Sequence, residues 1–373
     1  MKKILCIALI TVFTNLPVIS AGIRSFEFQG QVTGLAGYND SSDGRYSSGV
    51  RYIPEVRYGY DLGGDRLTDI ELSANISGFT KLSDDGVVVS SADVNLYRLT
   101  LRYSSSLFET RVGLQKLNFG PGKVLRPLMW FDSIDPRDPF KITDGVYGIL
   151  ARYFFINNTN IWSWVLYGND KLRGLDAVIS DKTRPEYGAR MQTAIPFGEA
   201  GLTIHQRYVD PVETKKRLFL PVNDGTERRC GLDLNLDIEI GFWCEAVANQ
   251  LVINSSHELW NYLGMAGMDY TFPWGIHAQV EHLAVYTGIK SDTTYESAEI
   301  SAVTADYKFG LTDIVNIMMY YNWRTSDTTY FTAWQRSYDK FQVNVLAYSG
   351  KPGTGSTTGF SGTGAMVTLS WNY

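Results

Sequence analysis

The segment Ala365-Met366-Val367-Thr368-Leu369-Ser370-Trp371-Asn372-Tyr373 constrains this chain more than any other. Ala365, Val367, Leu369, Trp371 and Tyr373 alternate with residues that are mostly small or polar. A period of two with one wholly apolar face describes a strand, and that face must meet something oily. The same alternation recurs from residue 26 onward. Past residue 21 no apolar run approaches the roughly 20 residues of a membrane helix. In lipid every backbone polar group must be paired, so strands that cross a membrane must form a sheet closed on itself.

Composition agrees. Aromatic residues make up 13% of the chain, with 23 Tyr and 9 Trp. Such rings favour membrane interfaces, because the ring is apolar and its OH or NH stays wet. Lys2 and Lys3 precede an apolar run, Ile4–Phe13, and Ser20-Ala21 offers small residues for cleavage. Residues 1–21 therefore read as a secretory signal, and residues 22–373 as one barrel domain. With Lys2 and Lys3 removed, 32 basic residues face 39 acidic ones, a net charge of about −7. That balance argues against a nucleic-acid partner.

From Phe26 the chain repeats one unit: an alternating stretch, a short turn, another alternating stretch and a longer polar loop. Gly63-Gly64-Asp65, Asn157-Asn158, Pro196-Phe197-Gly198 and Pro273-Trp274-Gly275 are the clearest short turns. Leu82–Ala92, Asn169–Arg184, the charged Asp210–Thr226 and the Gly/Ser/Thr-rich Gly350–Gly362 are longer connections. The rhythm predicts an all-β, antiparallel up-and-down transmembrane barrel of about 18 strands, with 16 as the nearest alternative. Short turns and both termini then lie on the periplasmic side.

The closing strand, with its terminal aromatic, resembles that of Gram-negative outer-membrane β-barrels of the porin-like type. The resemblance implies an outer-membrane location, contact with lipid and lipopolysaccharide, and recognition of the Tyr373 strand by the barrel-insertion machinery. It also raises a homotrimer beside a single working barrel.

In such strands the polar parity lines the lumen. Tyr52, Val56 and Tyr58 facing outward put Arg51 and Arg57 inside. Leu99, Leu101 and Tyr103 put Arg98 and Arg102 inside. The same reading places Arg111, Arg152, Arg190 and Arg207 on the inner face. Later strands add inward acids, among them Asp233, Glu245 and Glu281. A basic wall facing acids across a lumen is expected to set up a transverse field. Lining by ordinary Arg–carboxylate pairs is the alternative.

Residues 120–144 differ from the other connections. Four prolines accompany Leu125, Leu128, Met129, Trp130, Phe131, Ile134 and Phe140, which a solvated loop would not hold. The loop is expected to fold into the barrel. Gly113-x-Gln115, Gly120 and Asp132…Asp135-Pro136-x-Asp138-Pro139 resemble a segment of several families of large porin-like barrels, over about 35 residues. The resemblance implies that Asp132, Asp135 and Asp138 bring carboxylates opposite the arginines at a constriction. Capping of turns beside proline is the other reading of the same aspartates.

Cys230 and Cys244 flank a tight turn and are open to two readings, a disulfide between adjacent strands or two free thiols. Four scattered histidines and no Cys-x-x-Cys predict neither metal nor cofactor. His277 and His282 share a strand, and Ser255-Ser256-His257 lies in a loop. Spacing alone assembles no nucleophile–base–orienter set from them, so no enzyme is expected. The expected function is a channel for passive or selective diffusion of small polar or charged solutes, narrowed by residues 120–144. The alternatives are a surface- or polysaccharide-binding or assembly barrel without an open pore and, more remotely, an outer-membrane lipid hydrolase.

Overall fold

Strict alternation along a strand sends every second side chain to the same face, and here that face is the outside of a closed wall. The computed structural model describes residues 23–40, 45–83, 86–138, 140, 142–219, 221–254, 257–289, 295–351 and 362–373. Residues 1–21, expected above to be an export signal, Ser255, Ser256 and most of Gly350–Gly362 lie outside them.

Eighteen antiparallel strands follow one another around the wall. They are β1 (Ile23–Asn39), β2 (Tyr46–Gly63), β3 (Arg66–Ser83), β4 (Gly86–Ser104), β5 (Phe108–Gln115) and β6 (Val146–Phe154). Next come β7 (Asn160–Leu166), β8 (Glu186–Ile195), β9 (Gly198–Tyr208), β10 (Gly225–Asp237), β11 (Gly241–Ile253) and β12 (His257–Thr271). The last are β13 (Ile276–Ile289), β14 (Tyr295–Phe309), β15 (Asp313–Asn322), β16 (Asp327–Ser337), β17 (Phe341–Ser349) and β18 (Thr363–Asn372). Each strand pairs with its sequence neighbours, and β18 returns to pair with β1 from Gln31↔Asn372 to Asn39↔Gly364. The all-β, 18-strand expectation holds, and both ends of the barrel sequence lie on the short-turn side.

Phe28, Val50, Leu101, Ile149, Ile204, Ile317 and Leu369 stand exposed on the outer face, as a wall bathed in hydrocarbon requires. Gly63 and Gly64, both with positive φ (89° and 69°), make the tight turn between β2 and β3. Side chains rarely adopt that backbone; Gly63 sits at the bulge that ends β2, and positive φ at Gly64, the first of the two turn residues, suits a two-residue hairpin.

Two connections differ from expectation. Leu82–Ala92 is no loop: β3 runs to Ser83, β4 starts at Gly86, and Thr80↔Ser90 belongs to their ladder. β1 to β4 are 17–19 residues long, well past the 9–11 that a span needs. Gly86–Leu96 is exposed on both faces, so nothing there enforces alternation and Val87-Val88-Val89 and Ser90-Ser91 run together. The charged stretch 210–226 contains a helix, α1 (Pro211–Leu218). Asp210 caps it by accepting from Val212 N and Glu213 N, and proline fills its first position.

Cys230 and Cys244 are both free, which corrects the disulfide reading. The turn centres on Glu239, so Cys230 pairs with Ala248 and Cys244 with Leu234. They sit at different heights on the outer face.

Closure is testable by cross-linking. Thr33 and Ser370 face each other with their hydroxyl oxygens 2.9 Å apart. A Thr33→Cys/Ser370→Cys double variant is expected to form a disulfide on mild oxidation. The fold is wrong if a neighbouring, out-of-register pair cross-links instead, read by mobility on denaturing gels with and without reductant.

Candidate functional site

The third external connection, residues 116–145, runs inside the barrel. Its apolar side chains find a partner there because the inner wall is not uniformly polar. Leu117, Phe119, Leu128, Trp130 and Phe131 pack on Leu150, Trp164, Trp243, Leu263, Met265 and Leu283, all nearly inaccessible. Phe119 stacks on Trp164, and Phe131 meets Trp164 and His205 edge-on.

Two inward carboxylates anchor the backbone of this segment. Glu245 accepts from Gly122 N at 2.7 Å and Leu128 N at 2.8 Å. Glu281 accepts from Lys123 N, Val124 N and Leu125 N at 2.9, 3.0 and 2.5 Å, and from the Trp243 indole at 2.9 Å. A carboxylate collecting several N–H groups is a strong, charge-assisted anchor. Gly120 is required: its φ is +90°, and a Cβ there would lie 2.5 Å from Glu245 Oε1. Lys123 spans Trp243, 4.1 Å above the ring, to pair with Asp269.

From these anchors the segment crosses the lumen. Arg137 lies over Tyr320 and Phe331 on β15 and β16, at 5.1 and 5.7 Å. Phe140 lies 4.4 Å beneath the Arg51 guanidinium on β2. The Thr143 carbonyl accepts from Arg98 on β4 at 3.1 Å.

Beside this bridge lies the basic part of the wall. Arg102 and Arg111 face each other across β4 and β5, and Glu109 faces Arg152 across β5 and β6. Like charges directly opposite repel. Here one carboxylate serves three guanidiniums: Glu109 is 3.7 Å from Arg102, 3.0 Å from Arg111 and 3.5 Å from Arg152. Asp69 takes Arg102 at 2.7 Å, and Glu55 takes Arg57 at 2.5 Å. Arg152 also stacks on Trp162 at 3.8 Å, and Arg98 on Tyr97 at 3.9 Å. Arg57, Arg98, Arg102 and Arg111 line a cavity of about 530 Å³ that lies toward the short-turn end, with Glu27, Asp69 and Glu71 as its acids. Arg51 Nε and Nη1 and Arg152 Nε are buried without a hydrogen-bond partner.

The remaining expected lining residues lie elsewhere. Arg190 is sealed against Asp233 and Thr203, at 2.6 and 2.8 Å. Arg207 is sealed against Asp176 and Glu227, at 2.8 and 2.5 Å. Both are almost wholly inaccessible, so neither lines an open passage. Glu245 and Glu281, 2% and 1% exposed, hold backbone and face no solute. Asp132 is chelated by Arg126 at 2.9 and 3.1 Å, and Asp135 by Arg137 at 2.7 Å. Only Asp138 of the three turns toward the arginine side. Burial pushes its carboxyl above the ordinary value, against the pull of Arg51. Of the acids expected opposite the basic wall, backbone amides hold Glu245 and Glu281, loop arginines hold Asp132 and Asp135, Arg190 holds Asp233, and Asp138 alone faces the arginines.

Sequence reading missed a second inward connection, residues 167–185. Arg173 reaches Glu186 at 2.9 Å, and Asp176 joins Arg207 to Arg229. His205 sits between Glu186, at 3.2 Å, and the Trp164 indole. Parity with Arg207 and Asp233 could have found Glu227 and Arg229. The partners in the polar connection carry no such signal.

No protein-family model matches the sequence, and no curated protein does. Solved structures are similar in fold. OccK2 of Pseudomonas aeruginosa, in complex with glucuronate, superposes with a TM-score of 0.63 at 9% identity, over 95% of this chain and 98% of that one. An anion-selective porin from Comamonas acidovorans gives 0.52 at 12% identity, over 94% and 99%. OmpT, an outer membrane protein of Vibrio cholerae in its trimer form, gives 0.55 at 12% identity, over 95% and 100%. At these identities the likeness concerns the fold, which is that of Gram-negative outer-membrane porins.

Removing the Glu281 anchor should loosen the bridge. Glu281→Ala leaves three amides and an indole without their acceptor, a loss of about 3 kcal/mol or more in local stability. The expected result is a lower melting temperature and larger, noisier single-channel steps. Unchanged conductance and noise would show that Glu281 does not hold the segment in the lumen.

Proposed function

We propose that this protein is a diffusion channel of the Gram-negative outer membrane that favours small organic anions, carboxylates above all. One observation carries the reading: the basic strip on β2 to β6 beside the bridging segment, where guanidiniums outnumber nearby carboxylates. Arg102, Arg111 and Arg152 share Glu109. A carboxylate matches guanidinium donors in geometry and charge. In a narrow, low-dielectric passage an excess of one sign concentrates counter-ions. The similar porin described as anion-selective and the similar barrel holding glucuronate are consistent with this class of solute.

The solute passes between the strip and the bridge of residues 116–145 into the cavity below. Its carboxylate moves from one guanidinium to the next, with no site deep enough to hold it. The trimer form of one similar barrel supports a homotrimer here. Residues 1–21 serve as the export signal, and the β18 strand ending at Tyr373 as the handle for insertion into lipid and lipopolysaccharide.

In planar bilayers with a salt gradient, the wild-type protein should give stepwise conductance with a reversal potential on the anion side. Arg102→Ala and Arg111→Ala should each cut the anion/cation permeability ratio on the order of three- to tenfold. A folded protein without conductance would instead favour the barrel that binds at the surface with its pore shut. Cation preference in the wild type would sink the anion reading while leaving the channel intact.

A further inference from the structure

On β13 to β15 the outer wall carries a polar cluster that a lipid-facing surface does not call for. β13, β14 and the turn that follows β15 place His282, Glu299, Ser301 and Trp323 together on the outward face, where Val280, Tyr286, Val303 and Ile317 stand exposed around them. The register puts His282 directly opposite Ser301, and the Trp323 backbone N–H donates to the Glu299 carbonyl at 3.0 Å. His277, five residues before His282, has the opposite parity and lies by Asp269 and Asp306. Charged groups on the lipid face of a barrel are expensive, least so near the interfaces. Ser301 and Glu299 lie eight and ten residues above Phe309, at the short-turn end of β14. At about 3.3 Å per residue and about 40° of tilt that is roughly 20–25 Å, near the top of an apolar band about 25 Å tall. Water and lipid headgroups reach that level, and Trp323 is the amphipathic ring expected there.

The hydrogen bonds fix the order of the groups. Ser301 Oγ lies 2.9 Å from His282 Nδ1, and the Trp323 indole donates to the same oxygen at 2.9 Å. An indole N–H only donates and takes one of the hydroxyl's two lone pairs; in the tautomer protonated at Nε2, the one the site needs, the hydroxyl proton points to Nδ1, which accepts it. The ring proton is then on Nε2, which faces Glu299 at 3.9 Å. A hydroxyl, a base and an acidic group behind the base stand in sequence, the arrangement that activates a nucleophile.

We propose that Ser301, His282 and Glu299 form a hydrolytic site for the acyl esters of membrane lipids, on the outer wall and independent of the pore. Oγ of Ser301 attacks the ester carbonyl carbon as its proton passes to His282 Nδ1. The indole N–H of Trp323, beside Oγ, is within reach of the oxygen that becomes negative. The carbon–alkoxy bond breaks, and His282 returns the proton to the departing alcohol. A water molecule then attacks the acyl-serine, giving its proton to His282. The acid leaves and Ser301 regains its hydrogen. Ser301 and His282 are the catalytic residues, and Glu299 is a positioning residue.

The test uses full-length protein folded in detergent, with mixed micelles of glycerophospholipid in one arm and of lipopolysaccharide in the other. Wild-type protein should release fatty acid in at least one arm, and the productive arm names the lipid. Ser301→Ala and His282→Asn should each lower release by about 100-fold or more, with bilayer conductance unchanged as the sign of a folded barrel. A fluorophosphonate probe should label the wild type at Ser301 and fail on Ser301→Ala. Glu299→Gln should lower turnover and move the acidic limb of the pH–rate profile to lower pH. No release in either arm, or release and labelling that persist in Ser301→Ala, would overturn the proposal.

Discussion

Pairing of β1 with β18 is the interaction on which everything else rests. A strand in hydrocarbon cannot leave a row of N–H and C=O groups bare, since each would cost several kcal/mol. Closing the sheet removes the edge and also fixes how wide the molecule must be. Eight strands enclose a space that side chains fill, whereas sixteen to eighteen leave an aqueous hole. An 18-strand wall of this height therefore needs internal matter to be selective. Two external connections supply it by folding inward instead of outward.

Those connections stay inside because the wall is adapted to them. A lumen face made only of charged side chains would offer Trp130 and Phe131 nothing. Trp164, Trp243, Leu263, Met265 and Leu283 provide an apolar patch at inward positions. The cost of covering it falls on Glu245 and Glu281, which lose water when the segment settles on them. Backbone amides replace that water, so the burial of two carboxylates is compensated by donors that the irregular segment has no other means of satisfying. Each side meets the other's unmet need, and neither arrangement is stable alone.

This reciprocity explains what could be read from the residues. Alternation in Tyr147–Phe155 or in Leu99–Tyr103 records which side meets lipid, and the strand count followed from it. The apolar content of residues 120–144 announced that they could not lie in water. Alternation is silent on partners, however. Arg190 and Arg207 share the parity of Arg102 and Arg111, yet the first two are consumed by Asp233, Asp176 and Glu227. Asp176 sits in a polar stretch without periodicity, so nothing local marks it as the charge between Arg207 and Arg229. Where both faces are wet, as along Gly86–Leu96, the two-residue signal vanishes altogether. The same limit hid the outward cluster, because Ser301 and His282 meet only through the register of two strands.

Charge balance differs around the circumference for the same reason. On β8 to β10 Arg190 has Asp233, while Arg207 and Arg229 share the pair Asp176 and Glu227, so the network closes on itself, producing rigidity and little external field. On β4 to β6 Arg102, Arg111 and Arg152 compete for Glu109, and Asp69 on β3 takes Arg102 alone. The bridging segment offers Arg98 the Thr143 carbonyl, and offers Arg51 on β2 the Phe140 ring and Asp138. In the proposed channel, positive potential therefore survives beside the passage. That coincidence follows from which wall the inward segments cover. A barrel with the same arginines and the segment packed against β4 to β6 would have neither the passage nor the field.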